Sequence, residues 1–229
     1  YLVRSRGLGD VYKRQAYNEL TNNSLGFNLT GDGNIFDSNK VHGNRIGIAI
    51  RSEKDANART TLTKNQIWDN GKDIKRCEAG GSCVPNQRLG AIVFGVPALE
   101  HEGFVGSRGG GVVIEPAKLQ KTCTQPNQQN CNAIPNQGIQ APKLTLNKKQ
   151  LSIEVKGTPN QRYHVEFFGN RNASSSEAEQ YLGSMVVMTN AQGVAKANWT
   201  PKVRMPSITA NVTDHLGATS ELSPAVQLK

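Results

Sequence analysis

The sequence predicts an all-β chain that begins with the last coils of a right-handed parallel β-helix and ends in an immunoglobulin-like antiparallel β-sandwich. Three observations lead to this fold class. An asparagine motif recurs at the length of one β-helix coil, short alternating apolar segments fill the C-terminal part, and long amphipathic helical patterns are absent from the 229 residues. Apolar residues make up only 36% of the chain, which suits narrow strand-lined interiors better than one large helical core.

The motif consists of an asparagine, an aliphatic residue two positions later, a second asparagine and then an apolar residue. Its three copies begin at Asn18, Asn39 and Asn65, which are 21 and then 26 residues apart. Because each coil of a parallel β-helix lies on the previous one, equivalent residues form columns. We therefore predict an interior aliphatic column and two structural asparagine ladders in turns where asparagine tolerates a left-handed backbone. The column is Leu20, Val41 and Ile67, and the ladders are Asn18–Asn39–Asn65 and Asn23–Asn44–Asn70. Chance repetition in an asparagine-rich loop region is the alternative interpretation.

Changes in sequence texture suggest four segments. Residues 1–15 (YLVRSRGLGDVYKRQ) lack the motif and resemble translated sequencing-adapter contamination, so we predict that they are not native to the protein. Residues 16–121 are assigned to the coils, and residues 122–142, rich in Gln, Asn and Pro, to a linker. Residues 143–229 contain seven alternating segments separated by turn clusters, which is typical of a β-sandwich.

The four cysteines form two local pairs, Cys77 with Cys83 and Cys123 with Cys131. Short-range pairs in loops predict two disulfides and therefore an oxidising compartment, so the expected location is extracellular, on the cell surface or periplasmic. A zinc site with four thiolate ligands is the alternative, but the CxxC spacing that such sites normally use is absent.

Alignment of the repeats places four side chains on one outward face of the coils: Lys40, His42, Trp68 and Asp69. An exposed tryptophan can stack on a sugar ring, so we predict a carbohydrate-binding site here. The simpler interpretation is that these are ordinary solvated side chains of a solenoid wall. The sequence shows no catalytic constellation, no histidine spacing for a metal and no phosphate-binding loop. We therefore predict no catalytic residues, no metal and no cofactor.

Several C-terminal runs carry a family resemblance: GTPNQRYHVEFFGN at 157–170, YLGS at 181–184, TNAQG at 189–193, ITANVTD at 208–214 and TSELS at 219–223, with the lead-in QGIQAPKL at 137–144. Together they resemble a module that follows right-handed, pectin-lyase-like β-helix domains in bacterial secreted and surface proteins. That group includes pectate lyases, alginate epimerases and many proteins without an assigned activity. The resemblance therefore implies an architecture but does not select an activity.

The resulting expectation is a fragment of a secreted or cell-surface protein with a structural, adhesive or carbohydrate-binding role, and a non-enzyme is favoured. The expected partner is a polysaccharide or cell-surface glycan. The alternative is a polysaccharide lyase or epimerase whose active site lies mostly on coils outside this stretch. The net charge of +9 is not clustered with aromatic residues, which argues against nucleic-acid binding. No apolar run has the length of a membrane span, and the sequence does not indicate an oligomeric state.

Overall fold

A computed structural model of the protein describes strands and turns in an N-terminal and a C-terminal part. The described segments contain no helix that is long and apolar enough to cross a membrane. They are residues 14–23, 25–30, 32–44, 46–51, 59–70, 76–77, 83–84, 92–94, 136, 139–147, 150–173, 175, 177–202 and 204–228.

Nine short strands among these residues form a set of three sheets, called the parallel stack below. The strands follow one another in three repeats, and each repeat contributes one strand to each sheet. All neighbouring strands within the three sheets are parallel. A hairpin of β9 (Arg76–Cys77) and β10 (Cys83–Val84) interrupts the third repeat. The repeats are β1 (Arg14–Ala16), β2 (Glu19–Thr21) and β3 (Leu25–Thr30); β4 (Asn34–Asp37), β5 (Lys40–His42) and β6 (Ile46–Arg51); and β7 (Thr60–Thr63), β8 (Gln66–Trp68) and β11 (Ile92–Phe94).

Two tight turns recur in each repeat, one between its first and second strands and one directly after its second strand. The sequence suggested that the ladder asparagines themselves would adopt the left-handed backbone of these turns. In the structure the residue before each ladder asparagine adopts it instead, and the asparagine side chain is used for hydrogen bonding between repeats. These left-handed residues have φ between 51° and 64°: Tyr17, Ser38, Lys64, Asn22, Gly43 and Asp69.

Each ladder asparagine of the first two repeats bonds to the equivalent residue of the next repeat. The Oδ1 atom of Asn39 accepts the backbone N–H and the Nδ2 of Asn18, both at 2.9 Å. The backbone N–H and Nδ2 of Asn39 in turn donate to Oδ1 of Asn65 at 2.9 and 3.1 Å. The second ladder repeats this pattern from Asn23 through Asn44 to Asn70, with distances of 2.9 to 3.2 Å. The backbone N–H groups of these asparagines therefore donate towards the next repeat. The side-chain Nδ2 groups also donate to backbone carbonyls of the preceding repeat, as Asn39 does to Gln15 and Asn44 to Leu20, both at 2.9 Å.

Apolar columns fill the interior of the parallel stack. Leu20, Val41 and Ile67 lie opposite one another in the second sheet, and each is at most 7% exposed. The rings of Phe27 and Phe36 meet edge to face, with centroids 4.2 Å apart. Because strand residues alternate between inside and outside, the neighbours of the interior column face outward.

Seven antiparallel strands among the described residues form two further sheets, called the antiparallel part below. One sheet has the order β12–β13–β16, and the other has the order β15–β14–β17–β18. The space between these two sheets is filled by an apolar core that includes Leu151, Val165 and Val212. The strands are β12 (Lys143–Asn147), β13 (Gln150–Lys156), β14 (Arg162–Asn170), β15 (Gln180–Met188), β16 (Val194–Trp199), β17 (Ser207–Asp214) and β18 (Val226–Gln227).

The central strand β14 is buried on both of its faces. Its register with β15 shifts between Phe167 and Phe168, as at a β-bulge. Phe167 packs into the core of the antiparallel part, where its ring stacks on Trp199 with centroids 4.1 Å apart. Phe168 packs instead against the interior of the parallel stack, in one cluster with Leu62 and Ile67. One sheet of the antiparallel part therefore borders two hydrophobic cores.

The start of strand β1 and Asn136 both lie in segments that the sequence analysis placed outside the folded parts. Strand β1 begins at Arg14, so the last two residues of the segment 1–15 belong to the first repeat, and residues 1–13 lie outside the described residues. Asn136 lies within the predicted linker 122–142 but is fully buried. It accepts the N–H of Thr60 at 2.7 Å and donates to the carbonyl of Thr219 at 2.6 Å, which connects the two parts of the fold.

One of the two cysteine pairs lies within the described residues. Cys77 and Cys83 are direct backbone partners in the antiparallel hairpin of β9 and β10, and their side chains are not described. Cys123 and Cys131 lie entirely outside the described residues. The two disulfides therefore stay a prediction.

The ladder leads to a stability prediction. Replacing Asn65 with Leu keeps the approximate size but leaves the Asn39 backbone N–H without its acceptor, and should lower the free energy of unfolding by about 1–3 kcal/mol. Replacing Ile67 with Asp should cost more, because an unpaired carboxylate would be buried. Replacing the exposed Lys40 with Leu is the matched control and should change stability by about 0.5 kcal/mol or less. Urea denaturation measures all three, and equal effects of the Asn65 and Lys40 substitutions would contradict the ladder's structural role.

Candidate functional site

The outward face of the second sheet, formed by β2, β5 and β8, brings several polar and aromatic side chains together. Strand alternation buries the interior column and turns the flanking residues outward. The parallel register then creates two outer columns, one of Glu19, Lys40 and Gln66 and one of Thr21, His42 and Trp68.

The imidazole of His42 is the centre of this face, because it contacts residues of both other repeats. Its Nε2 lies 2.9 Å from Oε1 of Glu19, in the preceding repeat. Its ring stacks on Trp68, in the following repeat, with centroids 4.2 Å apart and planes within 11° of parallel. A carboxylate can only accept hydrogen bonds, so Nε2 is the donor and, in the neutral ring, Nδ1 is left as an acceptor. The two contacts together hold the ring in one orientation.

The charges of this face favour an ionised carboxylate at Glu19. The hydrogen bond from His42 lowers the pKa of Glu19. Desolvation opposes this effect, and the positive charges of Lys40 and His42 support it. The His42 side chain is 24% exposed, so solvent and small molecules can reach it. A histidine held by a carboxylate and open to solvent is an arrangement suited to general acid–base chemistry.

The four residues predicted from the sequence occupy different roles in this face. His42 and Trp68 are in direct contact, and Lys40 is exposed in the column beside them. Asp69 is a left-handed turn residue, equivalent to Asn22 and Gly43 in the other repeats, and therefore belongs to the backbone of the turn. The sequence analysis predicted that the Trp68 ring stacks on a sugar, but in the structure His42 covers one face of that ring.

Glu19 is the member of the site that sequence reasoning missed. The alignment of repeats placed it in the column of Lys40, and its contact with His42 runs diagonally between columns. The sequence could have indicated this contact, because residues on neighbouring strands that are offset by two positions lie close enough for a glutamate side chain to reach. Among the described residues, no group of three or more His, Cys, Asp or Glu side chains is arranged to hold a metal ion.

Comparison with known proteins gives one strong similarity. No protein-family model matches the chain. Over 205 residues, or 90% of the chain, it is 92% identical to a protein from Acinetobacter baylyi named 3-dehydroshikimate dehydratase. The chain spans 42% of the length of that relative.

Similarity to solved structures is weak. The catalytic module of SpuA, a multi-modular glycogen-degrading pneumococcal virulence factor, aligns with 46% of the chain and 13% of its own length at 9% identity and a TM-score of 0.26. A product complex of the same factor aligns with a TM-score of 0.26 and 10% of its length. At these TM-scores and identities, the similarity indicates neither a shared fold nor a shared function.

The Acinetobacter baylyi relative corrects the predictions of family and activity. The assignment to pectin-lyase-like repeat proteins is wrong, as is the structural, adhesive or carbohydrate-binding role, because the relative is named as a dehydratase. The preference for a non-enzyme and the alternative of a polysaccharide lyase or epimerase are corrected by the same finding. The resembling runs consist of strand and turn residues, and these reflect backbone geometry rather than chemistry.

The predicted extracellular, cell-surface or periplasmic location is corrected as well. It had been inferred partly from the resemblance to secreted proteins, and the relative carries the name of a dehydratase instead. The outward face that carries Lys40, His42 and Trp68 remains a candidate site.

The contact between His42 and Glu19 can be tested by titration. Replacing His42 with Phe should keep the stacking on Trp68 but remove the hydrogen bond, so the pKa of Glu19 should rise towards its ordinary value. Replacing Lys40 with Gln is the control and should raise that pKa less, because Lys40 acts only through space. Carbon-detected NMR of the Glu19 carboxyl group over a pH series measures both. An unchanged pKa in the His42→Phe variant would show that the contact is not made in solution.

Proposed function

We propose that this chain is part of an enzyme that removes water from 3-dehydroshikimate. The observation that carries the proposal is the 92% identity over 205 residues to the protein named 3-dehydroshikimate dehydratase. Because the matched stretch is 42% of that relative, the proposed activity is that of a protein of the relative's length, to which these residues contribute.

The outward face of the second sheet supplies groups that such a reaction needs. A dehydration takes a proton from one carbon and releases hydroxide from its neighbour, so it requires a base and an acid. Histidine can both accept and donate a proton in such a reaction, and the carboxylate of Glu19 holds the ring of His42 in one orientation. The substrate named for the relative bears a carboxylate, and Lys40 is a cation on the same strand face as His42 that attracts such a group. We assign His42 as the acid–base group, Glu19 as its positioning residue and Lys40 as the carboxylate-binding residue.

We also propose that the three repeats belong to a right-handed parallel β-helix and that the antiparallel part is an immunoglobulin-like sandwich. The parallel pairing of each repeat with the next supports the first assignment, and the two packed sheets of seven strands support the second. In such a fold, a site formed from several repeats needs only outward residues in adjacent columns. Glu19, His42 and Trp68 are arranged in this way.

A chimeric enzyme tests the proposed function. In the chimera, this chain replaces the matching stretch of the Acinetobacter baylyi relative, and the loss of 3-dehydroshikimate is followed by NMR. We expect turnover by the chimera and a fall of kcat by about 100-fold or more on His42→Ala, the usual range for a lost general acid–base group. His215→Ala, at an exposed turn of the antiparallel part, is the matched control and should leave kcat unchanged.

The outcomes separate the two levels of the proposal. A folded chimera that does not consume 3-dehydroshikimate would contradict the dehydratase activity. An active chimera whose kcat is equal in the His42→Ala and His215→Ala variants would contradict only the assigned site. Replacing Glu19 with Gln should shift the pH profile of kcat rather than abolish turnover, because Glu19 acts through His42.

A further inference from the structure

The antiparallel part covers the free backbone edge of the last strands in the first two sheets. In β7, Leu62 donates its N–H to the Thr219 hydroxyl at 2.9 Å. In β8, Ile67 exchanges two backbone hydrogen bonds with Ala178, at 2.7 and 2.8 Å. An open edge of this kind would otherwise be a template for pairing with other chains.

The same surface also occupies the two turns of the last repeat. In the earlier repeats, the backbone N–H of a ladder asparagine donates to the asparagine of the next repeat, as Asn44 does to Asn70 at 3.0 Å. Asn70 donates its N–H to Oε1 of Glu177 at 3.2 Å instead. In the other turn, Ser38 of the previous repeat donates its N–H to the carbonyl of Thr63 at 2.9 Å, whereas the equivalent N–H of Lys64 donates to the carboxylate of Glu166 at 3.0 Å. At both turns, a carboxylate of the antiparallel part supplies an acceptor in the place of a further repeat.

We infer that the antiparallel part is a terminal cap for the parallel stack, and that Glu166 and Glu177 make it specific for the open end by supplying acceptors that a further repeat would otherwise provide. The Oδ1 of a ladder asparagine accepts from the preceding repeat and its backbone N–H donates to the following one, so it continues the pattern. A carboxylate accepts but has no N–H to donate, so it ends the pattern. Its charge also strengthens each bond to about twice that of a neutral acceptor.

Apolar packing surrounds these polar contacts. Leu62 and Ile67, at the end of the stack interior, form one cluster with Phe168 and Ala178 of the antiparallel part. The ring of Phe168 meets Tyr181 edge to face, with centroids 6.0 Å apart. Apolar burial is non-directional, so it favours association without fixing which surfaces meet. The carboxylates provide the register that the apolar contact lacks.

The charge of Glu166 supports a role in specificity rather than in stability. Burial raises the pKa of Glu166, although the hydrogen bonds from Lys64 and Thr63 and the charges of His164 and Lys64 oppose this effect. Because its folded pKa lies above the unfolded value, stability falls as the pH rises from the ordinary glutamate range through the folded pKa. At higher pH the buried carboxylate therefore destabilises the fold, and a neutral acceptor would avoid that cost.

This pH dependence can be measured. Replacing Glu166 with Gln keeps an acceptor oxygen but removes the titration. We expect the stability of the variant to decline less than that of the wild type between about pH 4.5 and pH 7, the range above the ordinary glutamate pKa. Urea denaturation at a series of pH values gives the two slopes, and parallel slopes would show that Glu166 does not titrate abnormally.

Hydrogen exchange on the full chain tests the cap itself. In a Glu166→Leu, Glu177→Ala double variant, the amides of Lys64 and Asn70 should exchange at least about tenfold faster than in the wild type. Amides that bond within the sheet of β13 and β16, such as that of Ile153, should keep their rates. Glu179→Ala is the matched control, because Glu179 is two residues from Glu177 but bonds to Arg171 within the antiparallel part.

Each outcome decides the inference. Unchanged exchange at Lys64 and Asn70 in the double variant would overturn it. Equal loss of protection throughout both parts would also overturn it, because the carboxylates would then support general stability only. If the double variant does not fold, Glu177→Ala alone is measured. Faster exchange confined to Asn70 and its neighbours in β8 then supports the cap, and unchanged exchange there overturns it.

Discussion

The parallel stack depends on one constraint, which is that the backbone N–H groups at its turns must find acceptors one repeat further along the chain. Asn39 and Asn44 are buried and meet this constraint through the Oδ1 atoms of Asn65 and Asn70. Buried amide donors without partners are costly, so the spacing of the repeats and the conformation of the turns must agree closely. The left-handed residue before each asparagine serves this agreement, because it turns the chain and leaves the amide to bond between repeats.

The same constraint explains why the two parts of the fold share a core. Within the described part of the chain, the turn N–H groups of the last repeat have no following repeat to donate to, so they need a surface that presents acceptors. The sheet of β14 and β17 provides that surface on one face and packs into its own sandwich on the other. In β17, Ile208, Ala210 and Val212 pack into the sandwich core. The intervening residues are polar, and Thr213 bonds to Thr219 at 2.8 Å near the end of the stack. Burial along the whole strand is the consequence.

The candidate site follows from the stack in a simpler way. A wall of stacked strands displays its outward residues at fixed spacings, so side chains from different repeats meet without any special loop. Glu19, His42 and Trp68 come from three repeats, and their contacts hold the imidazole in place. The family resemblance of the turn-rich C-terminal runs pointed to secreted carbohydrate-related proteins, whereas the Acinetobacter baylyi relative is named as a dehydratase. Turn residues report the path of the backbone, and activity resides in a few side chains that such a resemblance does not include.

The sequence by itself determined the periodic features of this protein. Equivalent asparagines 21 and 26 residues apart must align when successive repeats stack, and alternation along a strand separates the interior residues from Lys40, His42 and Trp68. Only the tertiary structure decided which partners complete these features. Glu166 and Glu177 lie more than 100 residues from the turns that they contact, and Glu19 reaches His42 diagonally from another repeat. Such contacts leave no periodic signal in the chain, because they depend on how two separately patterned surfaces are brought together.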